Sequence, residues 1–113
     1  MDCLFCKIAQ GEIPANVVYK DDQVVAFDDI NPQAAQHKII IPRQHIANLN
    51  DLKVEEVDLI GHLLLAATRL AKQLNIAEEG YRLVMNCNEA GGQTVGHIHI
   101  HLLGGRAMHW PPG

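Results

Sequence analysis

From His97 to Leu102 the chain alternates imidazole and aliphatic side chains without a break: His97, Ile98, His99, Ile100, His101, Leu102. A helix would scatter the two classes around its circumference, whereas a β-strand sends them to opposite faces. The alternation predicts a strand over 95–103, with the isoleucines on a core and three histidines on an open face. Same-face neighbours stand ~7 Å apart along such a strand, too far for their rings to hydrogen-bond at the roots. A ligand or ion can sit among the ring tips.

The remaining elements follow from composition and period. "FCKIAQ" before Gly11 predicts a short helix, and "NVVYK", "QVVAFDDI", "HKIIIP" and "YRLVMN" are β-branched or aromatic runs bounded by turn residues. Between Val54 and Leu74, the apolar residues Val57, Ile60, Leu63, Leu64, Ala67, Leu70, Ala71 and Leu74 recur every three or four positions. That is one amphipathic helix of roughly 30 Å at about 1.5 Å per residue. The expected fold is α+β: a five-stranded antiparallel sheet, one long helix over one face and one short helix, in a single domain spanning 1–113.

Apolar residues form 48% of the chain and charged residues 19%, which excludes disorder. The apolar stretch Ile60–Leu70 is broken by polar residues and falls far short of the ~20 needed for a membrane span. "MDCLFCKIAQGEIP" lacks the features of a secretory signal, so the expected location is cytoplasmic. A formal net charge of −4 leaves no footprint for a nucleic-acid polymer. Three cysteines, an odd count in a reducing compartment, read as thiols or metal ligands. Cys87 stands alone, and His62 reads as an ordinary residue of the long helix.

Three chemistries suit the histidine comb. It can be a solvated polar face, a zinc site built on His-x-His, or a nucleophilic site acting on phosphorus. In the third, a neutral imidazole attacks through one nitrogen while the other donates to a backbone carbonyl. The nearby loop "EAGGQT" suits it, because glycine lets backbone N–H groups approach a phosphate.

"GGQTVGHIHIHLLGG" resembles the signature of the histidine triad family, and "FDDINPQAAQHKIIIPRQH" and "LLGGRAMHWPPG" are similar to its central strand and loop and to its nucleotide-binding, purine nucleoside phosphoramidase branch. The likeness runs from about Leu4 to Gly113. It implies that His99 is the nucleophile forming a covalent nucleotidyl-histidine, that His101 and His37 contact the phosphate or assist proton transfer, and that the His97 carbonyl receives the other ring N–H of His99. It implies that Asn86, Gly92, Gln93 and Thr94 lie near the phosphate and leaving group. Asp29 would bind the ribose hydroxyls, and Phe5, Ile8, Ile13, Phe27 and Ile30 would form the base slot.

The resemblance further implies a homodimer joined through the long helix and "YRLVMN" into a continuous sheet, with Trp110 reaching the partner's site. Some bacterial members similar to this chain bind a structural zinc; here the ligands would be Cys3, Cys6, His45 and His97, and no cofactor would be needed for catalysis. The implied activity is hydrolysis of purine nucleoside 5′-phosphoramidates, AMP or GMP conjugates of amines or lysine. The alternatives are a dinucleoside polyphosphate hydrolase of the same family, or a nucleotide-binding interaction module with incidental hydrolysis.

Overall fold

The computed structural model describes residues 2–113. Helix α1 (Leu4–Ala9) is followed by β1 (Val17–Lys20), β2 (Val24–Asp28), β3 (Gln36–Pro42), two 3-10 turns (Leu49–Asp51, Val54–Glu56), α2 (Val57–Gln73), β4 (Tyr81–Val84) and β5 (Ile100–Gly104). The strands form one antiparallel sheet in the order β1-β2-β3-β5-β4. This is the expected α+β architecture. Among the described residues no helix is long and apolar enough to cross a membrane.

The central strands are near-continuous apolar runs because both faces of the sheet are covered. Val24, Ala26, Ile40, Ile100 and Leu102 pack against Leu63, Ala66, Ala67, Leu70 and Ala71 of α2. On the opposite face Val25, Phe27, Ile39 and Ile41 meet Cys3 and Phe5 of the α1 segment. The histidine face is therefore not open, as the alternation alone implied: α1 lies over it.

The comb is also not one strand. The β3–β5 register pairs Ile40 with Ile100, and two further steps would bring Pro42 opposite Ile98. Pro42 has no N–H to give, and its carbonyl accepts from the His97 ring instead, at 2.8 Å. The ladder stops there, and β5 begins only at Ile100. Residues 95–99 run as a turn, with the His97 N–H on the Val95 carbonyl and the Ile98 N–H on that of Ile46.

In α2 the buried stripe is Leu59, Leu63, Ala66, Ala67, Leu70 and Ala71. Val57 and Leu64, which the period assigned to the core side, are 66% and 49% exposed. Together with Leu65 they form a second apolar stripe, offset around the helix from the first. His62 is more than a passive helix residue: its Nε2 lies 2.7 Å from Asp21 Oδ2, tying α2 to the β1–β2 turn. Burial opposes ionisation of Asp21, but hydrogen bonds from Tyr19, His62 and the N–H groups of Gln23 and Val24 outweigh it, holding the carboxyl well below the usual range.

Candidate active site

A cavity of about 360 Å³ opens between α1 and the start of β5, within the volume range of small-molecule sites. Its lining includes Phe5, Ile8, Ile13, Phe27 and Ile30 from the expected base slot, then Asp29, Thr94, His99 and His101. Ile30 stands fully exposed at the rim. Leu4, Pro14, Ala15 and Val95 also line it and were not anticipated, since nothing in their residue types marks them. Gly92, Gln93 and Thr94 border a neighbouring polar hollow with Asn48, Asn88 and Glu89, so Thr94 faces both spaces.

Not every expected residue reaches the cavity. The Gln93 amide closes its own loop, donating to the carbonyls of Ala47 (2.7 Å) and Val95 (3.0 Å) and accepting from the Asn88 N–H (2.8 Å). Asn86 follows β4, half-buried and outside the lining. Trp110 is 82% exposed and stands clear of its own chain's cavity.

Backbone groups assign the proton to one nitrogen of His37, His97 and His99, and His37 in turn assigns that of His101. A carbonyl only accepts, so His99 Nδ1, 2.8 Å from the His97 carbonyl, must carry the proton, leaving Nε2 as a lone pair. By the same reasoning His97 Nε2–H donates to Pro42, and its Nδ1 is the lone pair. His37 is fixed oppositely: the N–H of Gln33 donates to Nδ1 at 3.0 Å, so Nε2 carries the proton. That N–H faces His101 Nδ1 at 3.0 Å, which places the proton of His101 on Nε2.

Phe5 packs edge-on against His99, centroids 5.1 Å apart, and the His99 and His101 rings stand 4.9 Å apart. The bend at 97–99 tips these two together, while His97 turns away, fully buried. Burial foremost, then the neighbouring His99 and His37, push His101 down to about 4; burial also lowers His37 and His97. The unfolded chain takes up protons near pH 6.5, while the folded chain resists them until about pH 4 at His101. Stability is thus complete above about pH 6.5 and falls as the pH drops toward about 4. Urea midpoints across that window should fall in the wild type and fall less steeply in His101→Gln; equal slopes would refute the assignment.

Asp29, His37 and His101 offer three donor atoms within 4.8 Å of one another, an arrangement a metal could use. The Gln33 N–H argues against it, because a metal on His37 Nε2 would force the proton onto Nδ1, donor against donor. The second cluster has no such conflict. His97 Nδ1 lies 3.4 Å from Cys3 Sγ, 3.6 Å from Cys6 Sγ and 3.2 Å from His45 Nδ1, and Cys6 Sγ lies 3.4 Å from His45 Nδ1. A tetrahedral zinc has S···N edges of ~3.5 Å and N···N edges of ~3.3 Å, so the donors are spaced for that ion. Burial, then Cys3, raise the Cys6 thiol, so a cation is what would hold it as a thiolate.

Residues 10–108 match the HIT domain. The chain belongs to the histidine triad family. An uncharacterised HIT-like protein of Synechococcus elongatus is 54% identical over 99% of this chain and 97% of its own. The purine nucleoside phosphoramidase of Escherichia coli is 50% identical over 95% of this chain and 90% of its own. Among solved structures, a HIT family hydrolase from Legionella pneumophila superposes with a TM-score of 0.98 at 56% identity, covering 99% of this chain and all of that one. This HIT protein is a hydrolase.

Proposed function

We propose that the protein hydrolyses purine nucleoside 5′-phosphoramidates to the nucleoside monophosphate and an amine through a nucleotide bound covalently to His99. The observation that carries this is the unprotonated Nε2 of His99, held by the His97 carbonyl at the inner end of a cavity with an apolar slot and a carboxylate. The similarity to an Escherichia coli purine nucleoside phosphoramidase supports the substrate class.

In the first step the Nε2–phosphorus bond forms as the phosphorus–amine bond breaks, and the bonding pair goes to the amine nitrogen. That nitrogen leaves with a proton from protonated His101, whose low proton affinity the bound phosphoryl anion raises. A proton added to His101 Nδ1 faces the Nε2–H of His37, for which Asp29 Oδ2, 3.4 Å away, is the alternative acceptor. In the second step water bonds to phosphorus, the Nε2–phosphorus bond breaks, and His101 Nε2, bare since its proton left with the amine while Nδ1 kept its own, takes the water's proton. The cavity's apolar slot receives the base, and Asp29 accepts from the ribose hydroxyls.

Cys3, Cys6, His45 and His97 would hold a structural zinc, which supplies charge to keep the thiolates ionised and ties α1 to the turn before β5. A homodimer is proposed through Val57, Leu64 and Leu65 of α2 and the edge strand β4. Arg82 of β4 donates to the His109 carbonyl at 2.8 Å, so Trp110 sits beside that edge. Sedimentation at the monomer mass would refute the dimer. Three free cysteines suit a reducing compartment, the cytoplasm.

The deciding experiment compares kcat/KM for adenosine 5′-phosphoramidate and for a diadenosine polyphosphate. The amidate is expected to be the better substrate by about tenfold or more, as differential transition-state binding of that size requires only about 1.4 kcal/mol. The reverse order would assign the chain to polyphosphate hydrolysis, and nucleotide binding without turnover to an interaction module.

A further inference from the structure

The β2–β3 loop (residues 29–35) begins with the site carboxylate Asp29 and leads into β3, whose second residue is His37. Within the loop Asp29 Oδ1 accepts the N–H of Asn31 at 2.8 Å, and Gln33 Nε2 donates to the Asn31 carbonyl at 3.0 Å. Neither contact fixes the loop against the rest of the protein. The turn that follows β5 does, in two ways.

Gly105 has φ +91, and a Cβ built there would stand 2.8 Å from the Cβ of Ala35, so the loop rests directly on this turn. The next residue, Arg106, donates from Nε to the Gln33 carbonyl at 3.0 Å and from Nη1 to the Ala107 carbonyl at 3.1 Å. Gln33 is thereby held on both sides of its Cα: its carbonyl by Arg106, its N–H by His37 Nδ1. The line continues through His37 Nε2–H to His101 Nδ1.

We propose that Arg106 is a positioning residue: by clamping Gln33 it holds the N–H that keeps His37 in its Nε2–H form, and so keeps the proton of His101 on the nitrogen that serves the cavity. Its role rests on the phosphoramidase reading only for the catalytic consequence; the control of the His37 tautomer stands independently. Arg106 touches no reacting atom. Released from the clamp, the Gln33 N–H swings away, both His37 tautomers become populated, and His101 loses its fixed donor.

The test uses the full chain labelled with 15N-histidine, in which long-range proton–nitrogen NMR correlations show which nitrogen of each ring is protonated. Wild type should show His37 protonated at Nε2 alone. Arg106→Ala should show a mixed His37 tautomer with unchanged Nδ1–H at His99, and kcat on adenosine 5′-phosphoramidate lower by roughly tenfold with KM changed less than about twofold, the pattern of a lost alignment. Arg106→Lys, which keeps a donor within reach of the Gln33 carbonyl, should recover part of both readouts.

A His37 still wholly Nε2–H in Arg106→Ala would overturn the proposal whatever the kcat; an altered tautomer with unchanged kcat would overturn its catalytic consequence. Gly105→Ala, which drives the turn off Ala35, should displace the same His37 signals; if its fold is lost, the Arg106 variants alone decide. A wild type inactive on phosphoramidates would defeat the substrate reading, and the NMR comparison would still decide whether Arg106 sets the tautomer.

Discussion

His99→Ala is expected to lower kcat on adenosine 5′-phosphoramidate by about 10⁴-fold or more, the scale on which removal of a covalent nucleophile acts. His99 is 4% exposed, and its Nδ1 is committed to the His97 carbonyl at 2.8 Å, so the ring cannot turn to offer another atom. His101, centroid 4.9 Å away, is no substitute nucleophile: its free lone pair is the one at Nδ1, engaged by His37. The apolar slot and Asp29 remain intact in the variant, so nucleotide affinity should change little. Rapid quenching of the wild type should trap a nucleotide adduct that is absent from His99→Ala. A variant retaining more than a hundredth of wild-type turnover would rule out the covalent route. His101→Ala should cost less, roughly 10²-fold to 10³-fold, as expected for loss of acid–base assistance.

The second large effect concerns stability. If Cys3, Cys6, His45 and His97 hold zinc, free ion at a thousand times its Kd stabilises the folded chain by about 4 kcal/mol, which for a domain of this size is roughly 15 °C in Tm. A strong chelator should remove that increment from the wild type and leave Cys3→Ala/Cys6→Ala unaffected. The loss should also loosen the base slot, because α1 carries Phe5 and Ile8 beside the two cysteines. His97 is the shared part: its Nδ1 faces the sulfurs, and its carbonyl orients His99. Chelation should therefore broaden the His99 signals as well as lower Tm. Protein purified without added metal that holds less than about a tenth of an equivalent of zinc, with no Tm response to chelator, would exclude the site; the donor distances match a full one.

The elements of the fold were legible because each carries its period in full. Strand alternation, the three-and-four spacing of α2 and the turn residues all act within a few positions of one another, and the five strands and two helices lie where these patterns predict, apart from their ends. The errors arose where a distant partner intervened. His97 to His99 belong to the unbroken alternation yet leave the sheet, because Pro42 can neither donate to the ladder nor spare its carbonyl. Val57 and Leu64 fit the helical period, but the strip presented by Leu63, Ala66, Ala67, Leu70 and Ala71 suffices to cover the sheet. His62 gave no local sign that Asp21, 41 positions earlier, would meet it.

In the candidate site, residue types were readable, and so was one proton position, the His99 N–H that the family resemblance directs to the His97 carbonyl; the others were not. A histidine's lone pair is set by whichever group faces its other nitrogen, and here those groups are mostly backbone: the Gln33 N–H and the carbonyls of Pro42 and His97. Backbone groups are the same in every residue and leave no mark on composition or spacing. Side-chain period and turn chemistry are local, and they were enough to read an antiparallel sheet and three alternating histidines beside a glycine loop, though only His101 of the three lies on the sheet. Tertiary contacts alone decide which ring nitrogen of His97 faces the thiols, which nitrogen of His101 carries its proton, and that Arg106 reaches the loop leading to His37. Those outcomes depend on contacts spanning up to 94 positions.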